Sequence, residues 1–353
     1  MTKLRDILVR RIGLTGPISI AEFMLEALSH PDHGYYTTRD PLGAAGDFIT
    51  APDISQMFGE LVGLALAQAW IEQGRPAPFH LVELGPGRGT LMADLLRATA
   101  KIPGFHDAAK IHLVEVSPPL RRAQSDAIKH DLTHHDSLDS VPEGPLFLIA
   151  NEFFDALPVR QFLRDGPGWR ERVIGASDGA LSFGLTEPAP VAGLEALLET
   201  TPVGALIQTS TPSNAIAAEI GRRIAGAGGL ALIIDYGAAQ LEGDTLQAVK
   251  GHEKTDVLAA PGDADVTAHV DFGALARAAA PAAASGPVPQ GVWLERLGIT
   301  PRAQALAAGL GKDALADHIA AHRRLTHPDE MGTLFKVMAL HQSSYTPLSG
   351  AFA

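Results

Sequence analysis

The chain has 353 residues, no cysteine and a formal net charge of −12 at pH 7. Such a length can bury a large core, while the missing cysteines exclude disulfides, thiol nucleophiles and zinc–thiolate sites. An acidic balance argues against a nucleic-acid binder, which needs a basic face, and no apolar run reaches the roughly 18 residues of a membrane span.

The basic start, residues 1–11, has no apolar stretch behind it, so no secretory signal is expected and a cytoplasmic protein without membrane insertion is the default. Residues 2–30 read as two helices. Ser19 with Glu22 three residues on forms a capping box for the second. A polar, Gly- and Pro-bearing loop covers 37–55 and is expected to be mobile without ligand. Asp53 or Ser55 then caps a long helix through Phe58, Leu61, Leu66 and Trp70. From Phe79 onward strands and helices alternate: strands at 80–84, 111–116, near 132–136 and at 145–150, with helices at 90–101 and from 118 to about 128. This alternation implies a parallel, doubly wound α/β sheet. Residues 159–163, 169–174 and 181–185 read as a β meander. A helix over 213–225 and a buried strand over 229–237 follow. A polar connection covers 238–270 and an Ala-rich helix 274–284. The last two strands are placed at Val292–Arg296 and Thr333–Leu340, with a helical stretch over 301–325 between them.

The pattern divides the chain into a helical N-terminal extension with an active-site loop (1–78), a core (79–158 and 229–353) and an inserted acceptor-binding module (159–228). In open α/β sheets ligands sit outside the carboxyl ends of the strands. Those ends carry Glu83 with Gly85, then Glu115, Asp136, Asn151 with Glu152, and Asp235. After Glu83-Leu84 the chain runs Gly85-Pro-Gly87-Arg-Gly89 and opens a helix. A dinucleotide fingerprint would space its glycines G-x-G-x-x-G. The tighter G-x-G-x-G, followed by an acid at the end of the next strand, looks more like the S-adenosylmethionine (AdoMet) turn of class I methyltransferases. A sharp turn with no ligand is the alternative. Glu115 is placed to accept from both ribose hydroxyls, and Asp136 with Ser137 to meet an adenine amino group. His134 and His135 point to opposite faces of an extended segment and cannot readily chelate one metal. Glu152 and Asp155 are placed to orient a guanidinium, which stays protonated and needs paired carboxylates. Helix capping by Asp155 and a solvated Glu152 are the plainer account of the same residues.

Over nearly its whole length the chain resembles the MidA-like family of class I AdoMet-dependent methyltransferases, which includes mitochondrial protein-arginine methyltransferases that assist complex I assembly. The resemblance rests on Gly34-Tyr-Tyr36, Gly46-Asp-Phe-Ile-Thr50, Ile54-Ser-Gln-Met-Phe-Gly-Glu60, Glu83-Leu-Gly-Pro-Gly-Arg-Gly-Thr-Leu91, Glu115-Val-Ser-Pro118 and Ala150-Asn-Glu-Phe-Phe-Asp-Ala-Leu-Pro158. Further matches are Ile234-Asp-Tyr-Gly237, Gly243-Asp-Thr-Leu246, Thr267-Ala-His-Val-Asp-Phe272 and Met331-Gly-Thr-Leu-Phe-Lys-Val337. It implies AdoMet binding at 83–89, at Glu115 and Val116 and at Asp136 and Ser137, with Asn151 beside them. It also implies closure of Gly46–Glu60 over the site, and an arginine of a complex I (NADH dehydrogenase) subunit as acceptor. Two departures stand out: Thr333 where an acid is expected, and Arg160 where a His often follows. A non-catalytic assembly factor and a nicotinamide-dependent oxidoreductase are the rival readings. The sequence leaves a homodimer open.

Overall fold

The computed structural model describes residues 2–38, 49–348 and 350–352. The chain forms two compact units. One takes in the described residues of 1–48 with Asp155–Ser213 and Gln240–Val270; the other holds Ile49–Phe154, Asn214–Ala239 and the described residues from Asp271 on.

In the first unit, helices Lys3–Thr15 and Ile20–Ser29 bury Leu4, Leu8, Ile12, Phe23 and Met24 against Val159, Ile174 and Val266. The capping box forms as expected: the Ser19 hydroxyl accepts from the Glu22 amide, and the Glu22 carboxylate accepts from the Ser19 amide. The meander is present as Arg160–Asp165, Gly168–Ser177 and Ala180–Leu185. Residues 238–270 were expected as a polar connection. They contain three antiparallel strands, Gln247–Lys250, Glu253–Thr255 and Asp265–Thr267, each too short to show a period.

The second unit is built on a mixed sheet. Its strands are β1 (Phe79–Leu84), β2 (Ala109–Val114), β3 (Leu132–His135), β4 (Leu146–Asn151), β5 (Gly229–Ala238), β6 (Ala283–Pro289) and β7 (Phe335–His341). They lie in the order β6-β7-β5-β4-β1-β2-β3. Strands β1 to β5 are parallel, and β7 runs antiparallel to both β5 and β6. Strands β1 and β4 are buried along their whole length, as strands covered on both faces must be. Ser55 caps the helix Gln56–Glu72, accepting from Met57 N at 3.2 Å.

The expected strand at Val292–Arg296 is instead part of the helix Gln290–Leu297. Gln290, Gly291, Trp293 and Leu294 are its buried residues, and that is helical spacing. The preceding Ala-rich helix stops at Ala278, and β6 begins at Ala283. Pro281 has no amide hydrogen to continue a helix there. The stretch over 301–325 is two helices, Ile299–Ala307 and Lys312–Thr326. Among the described residues no helix is long and apolar enough to cross a membrane.

Candidate active site at the carboxyl ends of the parallel strands

The turn leaving β1 is left-handed at all three glycines, with φ of +62° at Gly85, +52° at Gly87 and +84° at Gly89. L side chains rarely adopt that conformation, so the local sequence leaves little choice. Two of the glycines are also crowded by protein neighbours. A Cβ on Gly85 would stand 2.9 Å from Phe153 Cδ2, and one on Gly89 3.2 Å from Ile128 Cδ1 and 3.3 Å from Gln124 Cα. The helix Thr90–Thr99 starts directly on Gly89.

Glu83 lies under this turn and is 3% exposed. Burial pushes its carboxyl up to about 8, opposed by a hydrogen bond from the Met92 amide. Its Oε2 is buried without a hydrogen-bond partner.

A cleft of about 360 Å³ opens beside the turn. Its wall includes Gly85, Glu115, Val116, Asp136 and Ser137 of the residues expected from the sequence, together with Phe153 and Leu138. Glu83, Gly87, Gly89 and Asn151 do not line it. Glu115 Oε1 accepts from Ser117 N at 2.8 Å, and burial raises its pKa. Asp136 is exposed and pairs with Arg121 at 2.5 Å. The far side comes from the helix Thr211–Ala227 through Ala215, Ile216 and Glu219. Hydrogen bonds from Arg222 and Arg223 hold Glu219 down to about 2. Arg223, 3% exposed, also donates to Leu138 O at 3.1 Å and to Val141 O at 2.8 Å. It ties the 138–141 turn to this helix.

Strand β4 delivers the second expected stretch. Glu152 follows its last residue with φ +50°, an uncommon conformation for a non-glycine residue. Its amide donates to Ile234 O at 2.9 Å, and its Oε1 accepts from Ala51 N and Asn151 Nδ2, both at 3.1 Å. Asn151 Oδ1 is buried without a partner. Two residues on, Phe154 N donates to Asp235 Oδ2 at 3.1 Å, and Asp235 is fully buried. Asp155 falls in the first compact unit, 6% exposed, where its carbonyl accepts from Ala268 N at 3.0 Å. Of the Gly46–Glu60 segment, 46–48 lies outside the described residues, as does most of the loop at 37–55. The remainder is pinned by Ala51 to Glu152 and by Asp53 to Thr90, whose hydroxyl lies 3.3 Å from Asp53 Oδ1.

Residues 61–288 match a family model described as "Putative S-adenosyl-L-methionine-dependent methyltransferase". The chain is 39% identical to the Mus musculus protein arginine methyltransferase NDUFAF7, mitochondrial, over 94% of its own length and 83% of that protein. It is 36% identical to the Homo sapiens protein of the same name, over 94% and 82%. A crystal structure from Burkholderia thailandensis bound to S-adenosyl-homocysteine superposes with a TM-score of 0.83 at 28% identity, covering 99% of this chain and 94% of that one. The chain belongs to this methyltransferase family. It is an AdoMet-dependent enzyme of class I fold.

Several groups in the methyltransferase site escape a reading of strand ends. Ala215, Ile216 and Glu219 come from a helix about 60 residues beyond the last expected contact. The helix itself is expected over 213–225; a sequence hint of charge at its cleft end is Glu219 followed at helical spacing by Arg222 and Arg223. His134 and His135 do point apart: His134 meets Gln124 at 2.9 Å, and His135 meets His112 at 2.9 Å. Among the described residues no group of three or more His, Asp or Glu side chains is placed to hold a metal.

Proposed function

We propose that the methyltransferase binds AdoMet in the cleft over β1 to β4 and methylates an arginine of a protein, a subunit of respiratory complex I. The observation that carries the cofactor half is that cleft, with Glu115 in its wall and buried oxygens left over beside it. Glu83 Oε2 and Asn151 Oδ1 stand on adjacent strands and take no protein donor. A buried oxygen without a donor is destabilising, so two together fit a ligand ammonium. Glu115 would accept from the ribose hydroxyls, and Asp136 and Ser137 would meet the adenine edge between Val116, Leu138, Phe153 and Ile216. Gly85, Gly87 and Gly89 would bring backbone to the amino-acid end. The bound cofactor supplies an activated methyl group.

The chain's own part is orientation and exclusion of water. A guanidinium stays protonated at neutral pH, so a carboxylate holds and aims it. Glu152 is the residue for this. Its backbone is held in an uncommon conformation and its carboxylate is fixed from two sides, which is how strain is kept at working residues. Asp155 is the second carboxylate of the reading. The arginine acceptor is taken from the mouse and human relatives, which are protein arginine methyltransferases, and complex I from the resemblance of the motifs. The same reading keeps the protein in the compartment where its acceptor is assembled, cytoplasmic in a bacterium.

The test is methyl transfer from labelled AdoMet to complex I taken from cells lacking this protein. Label on an arginine, lost at least about 100-fold in Glu152→Gln while AdoMet binding stays within about threefold, is the expected result. Label on lysine or histidine would overturn the acceptor. Full complementation by Glu152→Gln would favour a binding role without catalysis.

A further inference from the structure

We propose that Gln124 and His134 are positioning residues for the cofactor: the Gln124 amide joins the Gly87 carbonyl to the Glu115 carboxylate, and His134 fixes which way that amide faces. The inference rests on the cofactor site proposed above and names the device that holds its two halves in register.

The helix Pro118–Ala127 buries one residue, and that residue is Gln124, at 0% exposure. A leucine would be the ordinary occupant of such a position, because a buried amide is destabilising unless its polar atoms are all used. Here they are used. Gln124 Nε2 donates to Gly87 O at 2.7 Å and lies 3.5 Å from Glu115 Oε2. Its Oε1 meets His134 Nε2 at 2.9 Å. An amide offers two N–H donors and a carbonyl oxygen that accepts, so both donors and the oxygen are engaged.

The match depends on orientation. Rotating the amide by half a turn would set its oxygen against the Gly87 carbonyl and the Glu115 carboxylate, and its NH2 against the His134 N–H. All three contacts would then repel. A hydrogen on His134 Nε2 holds the productive orientation, and both the Nε2–H tautomer and the cation supply it. The same helix also seats the turn sterically, since Gln124 Cα lies 3.3 Å from where a Cβ on Gly89 would be. The turn is therefore bonded to the helix at Gly87 and packed on it at Gly89.

The second half of the device is Glu115. Ser117 N holds its Oε1 at 2.8 Å, and Gln124 faces its Oε2. Burial raises the Glu115 pKa, while Ser117, Val116, Gln124 and Arg121 oppose that rise. The charged groups nearby are Arg121, whose Nε donates to Glu115 O at 2.6 Å and whose Nη2 pairs with Asp136 at 2.5 Å, and His134 when protonated. Removing the Gln124 donor strips that contact from Oε2 and makes the carboxylate easier to protonate, while Ser117 still holds Oε1. A protonated Glu115 accepts less well from ribose hydroxyls, so affinity for the cofactor gains an acid limb at higher pH. Packing alone would not move that limb.

The experiment is calorimetric titration of AdoMet into the full chain as wild type, Gln124→Met, His134→Gln and His134→Phe across the range from acid to mildly alkaline pH. Gln124→Met keeps the length and removes every hydrogen bond. It is expected to weaken AdoMet about 10- to 100-fold at neutral pH, the range for a hydrogen bond to a charged group, and to shift the acid limb upward. His134→Gln, which still presents an N–H to Gln124, is expected to stay within about threefold, and His134→Phe to fall between. A folded Gln124→Met that binds as wild type, or one that loses affinity equally at every pH, would overturn the inference. Should Gln124→Met fail to fold, the histidine pair decides: a loss in His134→Phe rescued in His134→Gln supports it, and equal affinities overturn it. If the wild type itself does not bind AdoMet, the cofactor site falls first and this inference with it.

Discussion

Glu83 holds its proton in the folded chain at neutral pH, whereas a carboxyl in the unfolded chain has lost it. The folded value of about 8 stands above the ordinary 4.5, so the contribution to stability is complete below about pH 4.5 and is lost as pH rises towards 8. A gap of that size corresponds to as much as about 5 kcal/mol at high pH. Glu83→Gln is therefore expected to raise the urea midpoint of the free protein at pH 8 while weakening AdoMet. A variant that is less stable there would show that the buried charge is already compensated. Gly85 is constrained twice, by φ +62° and by Phe153 at 2.9 Å. Gly85→Ala is expected to lose about 1–3 kcal/mol by chemical denaturation and to displace the Phe153 ring from the cleft wall. Gly87→Val is a poor probe of ligand contact for the same reason, because φ +52° strains any β-branched side chain whatever binds beside it. At this scale much was legible. The G-x-G-x-G spacing marks the left-handed positions because only glycine adopts them cheaply. What crowds Gly85 and Gly89 beyond their φ is Phe153 and the Gln124 helix, neighbours about 68 and 35 residues away in sequence that no local pattern names.

A histidine ladder runs diagonally across three adjacent parallel strands, β1 to β3. His80 Nδ1 meets His112 Nε2 at 2.9 Å, His112 Nδ1 meets His135 Nε2 at 2.9 Å, and His135 Nδ1 meets Ser140 Oγ at 2.8 Å. A ladder of neutral rings can run either way: Nδ1–H on every ring towards Ser140, whose hydroxyl then donates to Ser137 O at 2.8 Å, or Nε2–H on every ring towards Glu143 O, with Ser140 donating to His135. Only the second direction gives the Glu143 carbonyl a donor, His80 Nε2–H at 3.3 Å, and only the first keeps the Ser140 hydroxyl donating to Ser137 O. One tautomer shared by all three rings at neutral pH is the expected finding in ¹⁵N spectra of histidine-labelled protein; a mixture of Nδ1–H and Nε2–H signals from His80, His112 and His135 would contradict it. Burial and the two flanking rings hold His112 down to about 4 against an ordinary 6.5. The unfolded chain takes up the proton first, so this stability is present above about pH 6.5 and is lost as pH falls towards 4, by about 3 kcal/mol in all. In His112→Leu the slope of stability against pH between those limits is expected to flatten. Element type was legible where the period was long or the caps strong, as at Ser19 and Glu22. It misled at 283–297, where a short apolar run fits either a strand or a helix and only burial of Trp293 and Leu294 against the core decides.

On the scale of the whole molecule, the cleft draws on four separate stretches: residues 84–85, 114–116, 136–139 and 215–219, with Phe153 between the last two. Hydrogen exchange with saturating AdoMet is expected to slow in those stretches first; protection confined to the meander at 160–185 would move the site elsewhere. By linkage, AdoMet at about 100 times its Kd should add about 2.7 kcal/mol to the unit that holds the cleft. The sequence by itself determined the parallel sheet, the glycine turn and the strand-end acids, since each is written in a local period or a local conformational demand. The family followed from the order of its motifs. Only the tertiary structure decided that Glu83 and Asn151 keep buried oxygens free, that Arg223 ties the 138–141 turn to the far helix, and that Gln124 bridges Gly87 to Glu115. Those facts depend on which side chains burial leaves without water, and burial is a property of packing between residues far apart in the chain.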